Sequence, residues 1–245
     1  MRLPQMVGLS LSTLIVIAVA ACSSTNGSGT SAPTTGRGSS SGPAQNGGTY
    51  QLPTTVTSLR IDGDAVAIDV TAQDSASAIT VKEQLHGKAT TTKDVTGSSA
   101  TLTAKCPSGF SFGVDCSVDY TVAMPARVTL NVDGAAGDMK LNGPFANTTI
   151  STKAGRVLGT SLGAGTYEVT TNAGEVNLKF ASPPNSVKVK SDVAAVVLTV
   201  PGGVKYAVTT DTTLGIKNVE VDRDSSSTHR LDVTTTVGTI TIDKG

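Results

Sequence analysis

From Leu130 onward, apolar and polar residues alternate in short runs that restart at a near-constant interval. The runs open on Leu130-x-Val132, Thr148-x-Ile150, Tyr167-x-Val169, Val187-x-Val189, Tyr206-x-Val208 and Leu231-x-Val233, spaced 18, 19, 20, 19 and 25 residues apart. Five residues beyond the second apolar position comes a small one: Gly137, Gly155, Gly174, Ala194, Thr213 and Gly238. Two further on, Met139, Val157, Val176, Val196 and Ile240 begin a second alternating run, continued by Leu141, Leu178, Leu198 and Ile242. Alternation with period two is the signature of a half-buried strand, so each unit reads as strand, tight turn, strand. The last interval is lengthened by the polar run Asp222–Thr228, which reads as a surface loop.

A fixed period of this length predicts a single-domain, all-β solenoid (β-helix-like) with 18–20-residue coils stacked on one another. The alternative is a β-sandwich, whose hairpins give turn signals every ~8–12 residues without holding one phase. Stacked coils place equivalent positions one strand spacing apart, ~4.8 Å. On that register Asp138, Arg156 and Glu175 form a column of alternating charge, and Glu168 stacks on Lys188. A further column, Lys153, Asn172, Asp192, Asp211, brings two carboxylates together, which reads as a solvated turn rather than a metal site. At Gly174 the chain is expected to reverse, so a side chain there should cost stability, whereas one at Gly47 should not.

Upstream the pattern is less regular. Leu59-x-Ile61 followed by Val66-x-Ile68-x-Val70 resembles the same device, and Ile79–Val81, Ala100–Ala104 and Val118–Val122 read as further strands. A stack has an open edge at each end, and open edges recruit other strands unless covered. This half is therefore expected to hold the N-terminal cap.

The N-terminus follows different rules. Residues 7 to 19 are mostly apolar and run into Val19-Ala20-Ala21-Cys22. A branched residue, two small ones and a cysteine form a lipobox, so residues 1–21 read as a lipoprotein signal peptide. Cys22 is then the lipidation site, carrying a diacylglyceryl group and fatty acyl chains of the palmitate kind. The apolar stretch is short for a membrane span. Each buried methylene contributes ~0.8 kcal/mol, so two or three acyl chains anchor firmly. The expected location is the extracytoplasmic face of a bacterial cell membrane. Residues 22–48 are nearly all small or polar, lack any large apolar residue, and read as a disordered Ser/Gly/Thr tether. The folded domain is expected over residues 49–245.

Composition narrows the chemistry. The chain has no Trp, four Phe, four Tyr and two His. Outside Arg2 and Arg37 it holds 17 Lys+Arg against 19 Asp+Glu, so no basic stripe for nucleic acid is present. Cys106 and Cys116 remain after Cys22 is assigned, and in an exported protein they should pair as a disulfide. His86 and His229 lie in polar, loop-like sequence and read as surface residues. No catalytic residue, metal ligand or cofactor motif stands out, and no enzyme is expected. The classes weighed are a non-enzymatic adhesin-like, scaffolding or envelope-sensing module with a protein or cell-wall partner, an exported carbohydrate-active enzyme, and a lipid- or small-molecule-binding lipoprotein.

Tyr120-Thr-Val-Ala-Met-Pro125, followed by Val128-x-Leu130-x-Val132-Asp-Gly-Ala-Ala-Gly137-Asp-Met-Lys-Leu141, resembles the bacterial putative-adhesin family, a domain of unknown function in envelope proteins and actinobacterial lipoproteins. The resemblance runs from about Leu59 to Ile242. It implies a β-solenoid and carries no catalytic or binding residue. Ala194 and Thr213 depart from its turn glycine.

Overall fold

The computed structural model describes residues 43–44, 47–107 and 116–245. The signal segment, Cys22 and most of the expected tether lie outside them. The described part is all-β, with no helix. Its strands are β1 (Pro43–Ala44), β2 (Thr49–Gln51), β3 (Ser58–Gln73), β4 (Thr80–Gly87), β5 (Thr90–Thr96), β6 (Ser99–Lys105), β7 (Cys116–Pro125) and β8 (Thr129–Ala136). They continue as β9 (Met139–Asn142), β10 (Asn147–Leu162), β11 (Thr166–Phe180), β12 (Ser186–Val200), β13 (Ala207–Leu214), β14 (Lys217–Val219), β15 (Arg230–Val237) and β16 (Ile240–Lys244).

Each repeat is one bent layer with two arms. In β10, β11 and β12 a single strand runs through both arms, while β8/β9, β15/β16 and β13/β14 break at the corner. Layers pair in parallel and in register along both arms. The offset is 18 residues from Leu130 to Thr148, 19 from Thr148 to Tyr167 and 20 from Tyr167 to Val187. Because β3 and β10 each pair with both β8 and β9, these four strands close a ring of pairings, with the others added on either side.

Beyond these layers the expected coil period fails in two places. Upstream, β3 stacks on β8/β9 across 71 residues, Leu59 beside Leu130, and β6/β7 stack on the other side of β3. Downstream, β12 pairs not with the next unit but with β15/β16, Val187 beside Leu231, and β13/β14 lie outside them. The last two layers are thus in reverse chain order. Their register also differs from expectation: Val208, not Tyr206, aligns with Leu231. The corner of that layer is therefore Gly215, and Thr213 replaces no glycine.

The corner is a bend rather than a reversal. At Gly174 φ is 146°, yet β11 continues through it with Gly174 beside Gly155 and Ala194. A Cβ on Gly174 would lie 2.0 Å from the carbonyl oxygen of Gly155, and one on Gly155 2.1 Å from that of Gly137. Each layer's backbone thus closes directly over the one before. The approach to each corner carries a second device. Thr152, Thr171 and Thr235 turn their hydroxyls to donate to the carbonyls of Ala154, Ala173 and Val237 at 3.1–3.2 Å, which holds the backbone in the bend.

Alternation sends one set of side chains inward. One core column runs Leu102, Ile61, Val132, Ile150, Val169, Val189, Val233, and another Tyr120, Ile68, Met139, Val157, Val176, Val196, Ile240; all are buried. Such columns remove apolar area from water at every layer, at ~25 cal/mol per Å². Both end in polar residues: Lys93 and Thr210 close the first, Glu83 and Lys217 the second. At the N-terminal end β4 and β5 run antiparallel to β7 and β6, and β2 and β1 run antiparallel to β4 and β5. Residues 43–44 and Gly48, assigned from sequence to the tether, pair with this cap, so the fold begins before Thr49.

Candidate interaction surfaces

Cys106 and Cys116 form the expected disulfide. It ties the end of β6 to the start of β7, where other layers have a bent corner. Asp64, at the corner of β3 in the next layer, accepts the Cys106 backbone N–H at 3.2 Å. The bond staples two arms across a connection too long for a glycine bend. Its ten-residue separation is worth ~2–3 kcal/mol on the chain-entropy account.

The outer faces carry charge in columns, partly as expected. Asp138 accepts from the Arg156 backbone N–H at 3.0 Å and from its guanidinium. Those hydrogen bonds, then the cation's charge, hold the Asp138 carboxyl below its ordinary value. Glu168 binds Lys188 at 2.9 Å, and Asp232 lies on the far side of Lys188 in the ladder. The Asp192–Asp211 contact does not form. Asp192 and Asp211 belong to different columns, because Asp211 pairs with Thr234, which pairs with Lys190.

Another cluster was not apparent from the repeat. Arg60 binds Asp62 at 2.8 Å and Asp133 at 3.3 Å. Only the pairing of β3 with β8 brings those two acids side by side. They line an open depression of about 420 Å³ with Asp64, Lys105 and Lys153. A second depression, about 310 Å³, lies over the small residue Ala67 between Asp119 and Asp138. Both are open, lined about equally by polar and apolar surface, with charged side chains among the lining residues. Among the described residues no group of three His, Cys, Asp or Glu is placed to hold a metal ion. His86 meets Asp119 at 2.9 Å on an exposed face, and His229 Nδ1 lies 2.8 Å from the Pro184 carbonyl.

The N-terminal cap buries a polar cluster that alternation alone disguises, since Glu83 occupies an inward position. Its side chain is 3% exposed and accepts from the Tyr50 hydroxyl and from Thr91 Oγ1 at 3.0 Å. Lys93 lies 4.4 Å over the Tyr50 ring, and Tyr120 pairs with Glu83 across β4 and β7. Burial first, then Glu83, pushes both tyrosine pKa values up; the Tyr50 hydroxyl donates to Glu83, whereas the buried Tyr120 hydroxyl has no hydrogen-bond partner among the described residues. A buried carboxylate held this way fixes how the cap seats on the core.

No family model matches the chain, and no curated protein matches it. Among solved structures it is similar to a putative cell adhesion protein from Clostridium sporogenes ATCC 15579, at 12% identity and TM-score 0.49, over 83% of this chain and all of that one. It is also similar to a putative lipid binding protein from Parabacteroides distasonis ATCC 8503, at 13% identity and TM-score 0.27, over 82% of this chain and 97% of that one. At these scores no property is carried from either.

Proposed function

We propose that the chain is a non-enzymatic, lipid-anchored cell-surface protein whose layers form a β-solenoid, acting as an adhesin-like or scaffolding module. The observation that carries the reading is the outer surface. Parallel layers in register repeat its polar positions at the strand spacing, so side chains such as Asp133, Ser151, Thr170 and Lys190 lie in one row. A surface of that kind suits many weak polar contacts with a protein or a cell-wall polymer. The interior is packed with side chains, which weighs against a lipid carrier. The acids lie on open faces without an aromatic groove, which weighs against carbohydrate chemistry. Anchoring through Cys22 fits the lipobox and would hold the domain at the extracytoplasmic face.

The test has two arms. Cys22→Ser should release the protein from membranes or leave it unprocessed; retention at wild-type mass and detergent behaviour would contradict lipid anchoring. Immobilised protein should bind isolated cell-wall material or surface protein. Single substitutions at Asp133, Thr170 or Lys190 should each have little effect, while the triple substitution abolishes binding. Turnover of a polysaccharide, or loss of binding from one substitution alone, would contradict a dispersed contact surface.

A further inference from the structure

The C-terminal end of the stack is guarded unevenly. On the second arm β14 carries Lys217 at the inward position and is followed by Glu220, the charged residues that keep an edge from recruiting another strand. On the first arm β13 reads Ala-Val-Thr-Thr-Asp-Thr-Thr-Leu: five β-branched residues, one charge and no proline. Ala207 donates its N–H to His229 on the β15 side. Backbone direction alternates along a strand, so Val208, Thr210 and Thr212 turn their N–H and C=O groups to the outer edge. No strand among the described residues pairs there. The loop after β14 closes the edge only at Tyr206, through Arg223. Beside the open stretch lie the large apolar side chains left exposed among the described residues. Val193, Val237 and Leu214 form one column of the ladder, and Ile216 follows. Leu214 and Ile216 are 64% and 69% exposed.

The geometry points to a second copy of this chain docking here, β13 against β13 in antiparallel pairing about a two-fold axis at Thr210. Three features select this occupant. With Thr210 on the axis, Val208 faces Thr212 of the other copy, so all the edge-directed backbone groups pair. Asp211 comes opposite Thr209 rather than another Asp211, so no like charges meet. A two-fold contact also closes on itself, which covers the edge without starting a filament. The chain's own N-terminal segment enters at the opposite end of the stack, where β1 pairs β5. That entry is nine strand spacings away along the main strand order, ~43 Å. One short strand and an apolar corner make a small interface, so the dimer should exchange readily with monomer.

The test uses the full-length chain in detergent micelles. Thr210→Cys places two sulfurs across the axis in a pairing whose Cα separation, ~5.5 Å, suits a disulfide. Mild oxidation should give a reducible dimer in several-fold higher yield than Thr170→Cys, an exposed position in the middle of the stack. Adding Thr212→Lys, which gives β13 the inward charge that β14 has, should abolish that excess; its thermal midpoint is read alongside, because the Thr212 hydroxyl is buried. Equal yields for Thr210→Cys and Thr170→Cys would overturn the proposal. So would an adduct of Thr210→Cys with a different protein, or an excess that survives Thr212→Lys.

Discussion

At Gly174 a single Cβ would strike the backbone of the neighbouring layer, and the fixed φ there already disfavours any L side chain. Backbone cannot swing aside as a side chain can. Gly174→Val should therefore cost more than ~3 kcal/mol or prevent folding. Gly202, where a Cβ meets only the end of Lys244 at 3.8 Å, is the proper control, and Gly202→Ala should leave the thermal midpoint nearly unchanged. Gly47 is not an inert control: its φ is 48° and a Cβ would lie 2.6 Å from the Glu83 carbonyl oxygen. Asp138 gives a test in pH. Its folded pKa is depressed by Arg156, so its contribution is present above the ordinary carboxylate range and is lost as pH falls through the folded value. The stability gap between wild type and Asp138→Asn, followed by thermal unfolding, should narrow steadily below pH ~4. A gap that stays constant from neutral to strongly acid pH would remove the ion pair from the account.

Elements carry the next test. β15/β16 are the last strands in the chain but not the last layer in space, so they support β12 on one side and β13/β14 on the other. Removing residues 228–245 should uncover the core positions Val187, Val189, Val196 and Leu198 and detach β13/β14 as well. Limited proteolysis should then cleave within β13 and β14, which are paired to β15 and β16 in the intact chain. Reducing Cys106–Cys116 should loosen β6 and β7 first, seen as faster amide exchange there than in β11. Repeat alternation made β8 to β12 legible in sequence because each layer follows its predecessor directly. It could not give the order of the last two layers, since β13/β14 and β15/β16 have the same pattern. A signal was nevertheless present: Thr210 and Lys217 stand where other units have Val, Ile or Met, which marks an end layer. The corner threonines Thr152, Thr171 and Thr235 were likewise in plain sight, but their value lies in a hydrogen bond that spacing does not reveal.

For the whole molecule, the disulfide, the all-β class and the charge pairs Asp138–Arg156 and Glu168–Lys188 could be read beforehand because they depend on local spacing and an export context. The cluster of Arg60 with Asp62 and Asp133 could not, since it joins residues 73 positions apart through a stacking that only the fold sets. The central claim is this parallel, in-register stack with its final layers out of chain order. Paired cysteines test it directly. Lys190 and Thr234 are ladder partners in adjacent layers, whereas Asp211 lies one layer further on, ~10 Å from Lys190. Lys190→Cys with Thr234→Cys should oxidise to an intramolecular disulfide in high yield. Lys190→Cys with Asp211→Cys should not, because Cα atoms more than ~7 Å apart cannot be bridged without backbone movement. A bridge in the second pair and none in the first would mean that the layers stack in simple chain order and would contradict the architecture described.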